Sequence, residues 1–252
     1  MRRLFTGATV VLFILAAAGC THQAPTIAHI HIGHAMQGWY DTPGKQGLFI
    51  VAEEKAAEAE ESAQAAVGGN LDLEGIKADI ARARMITDAA SAPKGKGEKY
   101  GVKQALSAAV DHIGYAAAAA DASANVKSFA KGFGPDAAGV LDRCDLIVAL
   151  SGDVGASASK EQAELLAQQI EKLTRANIHG EDLDGDGVIG SRPDEYGLEQ
   201  LRRDIDAMIA REDPPYTTMD TWYLFNLIRL PNGLWKLRKK PVNPQTTGGG
   251  GY

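Results

Sequence analysis

Acidic residues at alternating positions, interleaved with glycines, form the strongest chemical pattern in this sequence of 252 residues. The run from Asp182 to Gly190 reads DLDGDGVIG. The carboxylates of Asp182, Asp184 and Asp186 can converge on one point if the backbone curls, and glycine permits the positive-φ turns that a curl requires. Such a density of hard oxygen ligands suits Ca²⁺, which accepts about 6–8 oxygens in flexible geometry. The alternative is a polar turn that binds nothing.

This run closely resembles the calcium loop of EF-hand and dockerin-type modules. The resemblance covers residues 159–212, because a periodic helix pattern stands on each side of the loop. It implies that the three aspartates supply side-chain oxygens to the ion and that Val188 supplies its main-chain carbonyl. Extracellular modules of this kind bind calcium with dissociation constants of about 10⁻⁴–10⁻³ M.

The sequence departs from the family at the twelfth loop position, which holds Pro193 where the family has a bidentate glutamate. A loop longer by one or two residues would let Asp194 or Glu195 close the site, and we favour Glu195. The resemblance also implies that Ile189 is the apolar residue through which such loops pair. With no second loop in the sequence, either another helix covers this residue or two molecules pair, as a homodimer or with a protein partner.

Histidines form a second cluster, because His29, His31 and His34 lie within six residues. In an extended segment His29 and His31 would project to one side, and His34 could turn toward them after a glycine. Neutral imidazoles in this arrangement suit Zn²⁺ or Cu²⁺, with His112 or Asp41 as further ligands. The alternative is that the isoleucines dock this arm on the rest of the protein and that the histidines form hydrogen bonds or face water.

The first twenty residues have the order of an export signal: two arginines, an apolar stretch and small residues before Cys20. The ending AAGC resembles the lipobox of bacterial lipoproteins, and an ordinary signal peptide is the alternative. The resemblance implies removal of residues 1–19 and lipidation of Cys20. Because Thr21 is not aspartate, it further implies a cell-envelope location, at the outer membrane facing the periplasm or at the cell surface, rather than the inner membrane.

Apolar periodicity predicts an all-α helical bundle of about five to six helices in the domain 47–212. We see no convincing strand pattern beyond a short piece at 29–32 in the N-terminal arm, residues 20–46. The glycine-proline run at 132–135 separates two elements. The predicted helices are 47–67, 73–86, 102–120, 136–150, 159–173 and 198–209.

The C-terminal segment 213–252 is aromatic and basic, and ends in a glycine-rich tail that we expect to be disordered. It either packs over the bundle or lies on an anionic lipid surface. Twenty-six basic residues against 32 acidic ones argue against a nucleic-acid partner. Because no nucleophile or acid–base pair is identifiable, the sequence favours a lipid-anchored, calcium-binding protein that is not an enzyme. The alternative is a transition-metal-binding or metal-dependent protein that uses the histidines.

Overall fold

The computed structural model describes residues 25–93, 98–218, 227–229 and 235–237. The predicted all-α helical bundle is confirmed. A short antiparallel hairpin, in which Leu227 pairs with Leu237, is the exception among the described residues and was not predicted. The elements are α1 (Ile27–Met36), α2 (Leu48–Gly68), α3 (Leu73–Thr87), α4 (Val102–Ala118), α5 (Ala124–Ala156), α6 (Lys160–His179), α7 (Leu198–Ala210), β1 (Leu227–Arg229) and β2 (Trp235–Leu237).

The helices pack around two adjoining apolar cores. The first core is formed by α1, α4, α7 and the N-terminal parts of α2 and α5. The second is formed by α3, α6 and the C-terminal parts of α2 and α5. Alanines such as Ala52, Ala109 and Ala167 are fully buried, and such small side chains let helix axes approach closely. Helices α2 and α5 therefore run through both cores, whereas the loop from α6 to α7 passes from one core to the other.

The segment predicted to be extended at 29–32 lies inside helix α1, and that prediction is wrong. The helix begins at a double cap: the Thr26 hydroxyl accepts from the His29 N–H (3.0 Å), and the Asp121 carboxylate accepts from the N–H groups of Ile27 (2.7 Å) and Ala28 (3.1 Å). Side chains that accept hydrogen bonds from the free N–H groups of the first turn stabilise the start of a helix. Because Asp121 is distant in sequence, no local pattern announces this cap.

The glycine-proline run at 132–135 does not end an element, contrary to the prediction. It lies within α5, which is continuous from Ala124 to Ala156 and contains Pro135. Proline removes one helical hydrogen bond, but burial of Phe133 and Ala137 on either side of it keeps the helix in the first core. Tertiary packing thus outweighs the local preference.

Helices α4 and α7 start in the same way, each directly after a glycine. The N–H of Gly101 donates to the side chain of Gln104 (3.2 Å), and the N–H of Gly197 donates to that of Gln200 (3.0 Å). A Cβ on either glycine would lie 2.5 or 2.6 Å from a carbonyl oxygen of the preceding helix. Only glycine allows the new helix to begin this close to the end of the previous one.

Several predictions concern residues outside those described. The signal peptide 1–19, the lipidation site Cys20 and nearly all of the aromatic and basic segment after residue 218 lie there. No helix of the described part combines the length and apolar composition needed to cross a bilayer.

Candidate metal centres

The loop between α6 and α7 is closed at its base, where its two ends meet. The N–H of Glu181 donates to the carbonyl of Glu195 (3.0 Å), and the Gln200 side chain donates to the carbonyl of His179 (2.9 Å). Gly180 adopts a left-handed conformation (φ +75°) directly after the helix, which is where helices favour glycine. The two helices therefore fix the points at which the loop leaves and returns.

Within the loop the backbone curls around its own aspartates. The two carboxylate oxygens of Asp182 accept from the N–H groups of Gly185 (2.7 Å) and Gly187 (2.9 Å). The Asp184 carboxylate accepts from the N–H of Asp186 (3.1 Å). Both glycines have positive φ, 75° and 82°. The curl that the glycines predicted is thus present.

Glu195 reaches into the curl from its C-terminal side, although it lies two positions beyond the one that the family uses. Its carboxylate is fully buried and accepts hydrogen bonds from the Ser191 hydroxyl (3.0 Å) and the Leu183 N–H (3.3 Å), among others. One oxygen each of Asp182, Asp184 and Glu195 lie within 4.8 Å of one another. These three carboxylates form a candidate metal-binding group.

Asp186, to which the resemblance also assigns a ligand oxygen, does not belong to this group. The Asp186 carboxylate accepts from the Val188 N–H (2.7 Å) instead. Val188 and Ile189 are 57% and 38% exposed. Among the described residues, then, no helix fully covers the apolar residue that pairs such loops.

Hydrogen bonds keep two carboxylates of the group charged. The Gly187 N–H, with that of Gly185, holds the pKa of Asp182 below its ordinary value against a smaller effect of burial. Burial alone would raise the pKa of Glu195, but the Ser191 hydroxyl and the surrounding backbone N–H groups together lower it. Both groups are therefore in the ionised form that a cation requires.

Arg143 on α5 holds the C-terminal end of the loop, and sequence reasoning missed it. Its guanidinium donates to the side chain of Asn177 on α6 (3.0 Å), to the carbonyl of Asp194 (3.0 Å) and to the carbonyl of Tyr196. Burial lowers the pKa of this guanidinium. The last two acceptors flank Glu195, so Arg143 fixes the backbone on both sides of that carboxylate.

A second candidate group consists of His31, His34 and His112, each with one ring nitrogen within 4.8 Å of the other two. Spacing of three residues on α1 brings His31 and His34 onto one face, opposite His112 on α4. The Nδ1 atoms of His31 and His112 are 3.1 Å apart. The spacing of side chains along a helix, rather than along the strand that we assumed, therefore determines which histidines lie close together.

The three imidazoles sit in aromatic, partly buried surroundings. Trp39 lies 4.6 and 4.7 Å from the rings of His34 and His112, and Tyr115 lies 5.5 Å from that of His31. Burial, followed by the neighbouring imidazoles, lowers the pKa of His34 to about 4. Burial and His31 lower that of His112 to about 4 as well. At neutral pH these two side chains are neutral and keep an unprotonated nitrogen.

His29, which we placed in the cluster, and Asp41, which we considered as a further ligand, form hydrogen bonds or ion pairs with other residues. The Thr217 N–H donates to His29 Nδ1 (3.3 Å), which leaves Nε2 to donate to the buried Glu212 carboxylate (3.2 Å). Asp41 pairs with Lys99 and accepts from the Tyr100 hydroxyl (2.9 Å). His29 therefore does not lie in the group formed by His31, His34 and His112.

Cys144 is fully buried in the first core. Burial raises the pKa of its thiol to about 12. It packs near the side chain of Asn177, which lies 3.5 Å from its sulfur. The thiol is therefore shielded from solvent and protonated at neutral pH in the folded protein.

The chain matches no family model, no curated protein and no solved structure.

Proposed function

We propose that this is a lipid-anchored cell-envelope protein that binds one Ca²⁺ in the loop between α6 and α7 and acts as a binding or scaffold protein without catalysis. The observation that carries the proposal is the convergence of the Asp182, Asp184 and Glu195 carboxylates within 4.8 Å. Loop hydrogen bonds lower the pKa values of Asp182 and Glu195, which favours their charged forms.

Calcium fits this group better than other common cations. The three ligand side chains offer only oxygen, which suits calcium and magnesium rather than zinc or copper. Magnesium demands near-ideal octahedral geometry, whereas calcium accepts a flexible shell completed by main-chain oxygens and water. A loop whose exposed half is free to adjust therefore favours calcium.

The ion would join the two cores of the bundle. Helix α6 belongs to one core and α7 to the other, and Asp182 and Glu195 lie at the two ends of the connecting loop. A cation shared by these carboxylates holds the helices in one relative orientation. A site that fills only where calcium is about millimolar is suited to the outside of the cell.

Calorimetric titration of the purified full chain in detergent tests calcium binding. We expect one calcium per chain and loss of binding in Asp184→Asn and Glu195→Gln. Asp153→Asn, an exposed acid on α5, is the matched control and should bind as the wild type does. Asp186→Asn tests whether Asp186 is also a ligand. If the ligands are those that the resemblance implies, this variant weakens calcium binding. If the ligands are only Asp182, Asp184 and Glu195, it does not.

A thermal melt gives an independent measurement. At a calcium concentration 10- to 100-fold above the dissociation constant, binding stabilises the native state by about 1.4–2.7 kcal/mol. For a chain of this size that raises the melting temperature by roughly 3–10 °C. Absence of binding heat, together with identical melting in calcium and in chelator, would refute the proposal.

The anchor is tested separately by fractionating cells. Cys20→Ser should release the protein from membranes, because the acylated cysteine is the proposed attachment. Retention of this variant would assign membrane attachment to the aromatic and basic segment instead.

A further inference from the structure

We propose that His31, His34 and His112 form a zinc site that is separate from the calcium loop, with three imidazole ligands and one open coordination position. This goes beyond the proposed calcium function, and either site can exist without the other. The candidate ligands come from two packed helices, α1 and α4.

The spacing of the ring nitrogens fits a tetrahedral ion. Zinc binds imidazole nitrogen at about 2.0–2.1 Å, so two ligands of a regular tetrahedron lie about 3.3–3.4 Å apart. The Nδ1 atoms of His31 and His112 are 3.1 Å apart. Small movements of the two rings would admit the ion between them.

His34 supplies the independent sign that a ligand is missing. Its Nδ1 is buried and has no hydrogen-bond partner in the described part of the chain. Buried polar groups nearly always have a partner. His29 differs in this respect, because both of its ring nitrogens have hydrogen-bond partners.

The helices hold the site in position before any ion binds. The Asp121 carboxylate caps the start of α1 from the chain segment that follows α4, which fixes one helix against the other. Ile32 and Ala35, between and beside the two α1 histidines, are fully buried in the first core, as is Ile113 next to His112. The ligands therefore project from rigid elements, as a specific metal site requires.

The chemistry of the ligand set indicates zinc. Imidazole suits zinc, copper and nickel, but copper(II) and nickel(II) favour square-planar or tetragonal shells. Three protein ligands in a tetrahedral arrangement leave a fourth position for water or an added anion.

The test uses the purified full chain in detergent, stripped with chelator and supplied with excess calcium so that the acidic loop is filled. Zn²⁺ is titrated calorimetrically. We expect one zinc per chain and a loss of affinity of more than about 100-fold in His34→Gln and His112→Gln, since even second-shell changes cost about 10–100-fold. His179→Gln, a surface histidine paired with Glu199, should leave zinc affinity unchanged.

Two further measurements keep the result unambiguous. Circular dichroism and a thermal melt of each variant without zinc establish that it folds, and Co²⁺ in place of zinc should give the intense visible absorption of a tetrahedral centre. No saturable zinc binding, binding unaffected in folded His34 and His112 variants, or binding abolished by Asp184→Asn would each overturn the proposal. Loss of calcium binding alone would overturn only the calcium function.

Discussion

Replacing Arg143 by lysine should weaken calcium binding even though the positive charge is kept. The guanidinium spans three acceptors: the Asn177 side chain and the carbonyls of Asp194 and Tyr196. A lysine ammonium is a point donor that lacks this planar fork, so it cannot hold α6 and both loop carbonyls at once. The backbone on either side of Glu195 then becomes free to shift.

The size of the loss in stability follows from the hydrogen-bond acceptors that lose their donor in Arg143→Lys. Asn177 is buried, and a buried acceptor left without a donor costs about 1–3 kcal/mol. The bond to Asp194 lies at the surface, where water replaces the lost donor at little cost. For Arg143→Lys we expect a loss of about 2–3 kcal/mol of unfolding free energy and a roughly tenfold weaker calcium affinity, since about 1.4 kcal/mol corresponds to a factor of ten.

Urea denaturation in chelator measures the first quantity, and calorimetric calcium titration measures the second. Arg192→Lys is the matched control, because Arg192 lies on the same loop but forms only an exposed pair with Asp194 (2.8 Å). Exposed pairs contribute about 0–1 kcal/mol, so the control should behave as wild type. Equal urea midpoints and equal calcium affinities for Arg143→Lys and wild type would refute the positioning role.

Gly197→Ala should lower the unfolding free energy by about 1–3 kcal/mol, because the new Cβ would overlap backbone atoms. Gly152→Ala should raise the unfolding free energy by about 0.5–1 kcal/mol, because the space around Gly152 is open. Urea denaturation compares the two variants. The Cys144 thiol stays protonated in the native state up to about pH 12 but ionises near pH 8.5 when unfolded, so the unfolding free energy should fall as pH rises from about 8.5. Cys144→Ala should flatten that slope, and a slope unchanged by the substitution would contradict the assignment. Glu212→Ala should cost about 3–5 kcal/mol in denaturation, because three buried or partly buried side chains lose their acceptor. The exposed Glu199→Ala should cost less than about 0.5 kcal/mol, and a similar loss in both variants would argue against the buried network.

The helices that the sequence predicts are those whose apolar residues repeat on one face. In α3 the buried side chains of Ile76, Ile80 and Ala83 recur at helical spacing, and α4, α6 and α7 follow the same rule. The helical state of α1 could not be predicted in this way, because isoleucines and histidines alternate along it, which is also the pattern of a strand. Its helical state depends on burial and on the cap from Asp121, and neither is visible locally.

The acidic loop was predictable because its ligand spacing is local, whereas its support was not. Asp182, Asp184 and Glu195 stand within fourteen residues, so the chain itself brings them near one another. Arg143, next to Asp142, is one of several charges in a helix pattern until the fold sets α5 against the loop. For the histidines, the strand period that we assumed for 29–32 placed His29 beside His31, whereas the helix places His34 beside His31.

The buried hydrogen bond from the Thr217 N–H to His29 Nδ1 (3.3 Å) connects residues that lie near the N- and C-terminal ends of the described helical part of the chain. Six residues lead from Cys20 to Thr26, and at about 3.3–3.6 Å each they reach no more than roughly 20 Å. With the proposed acyl group on Cys20, the start of helix α1 and the segment around Thr217 that contacts it would therefore lie no farther than this from the lipid surface.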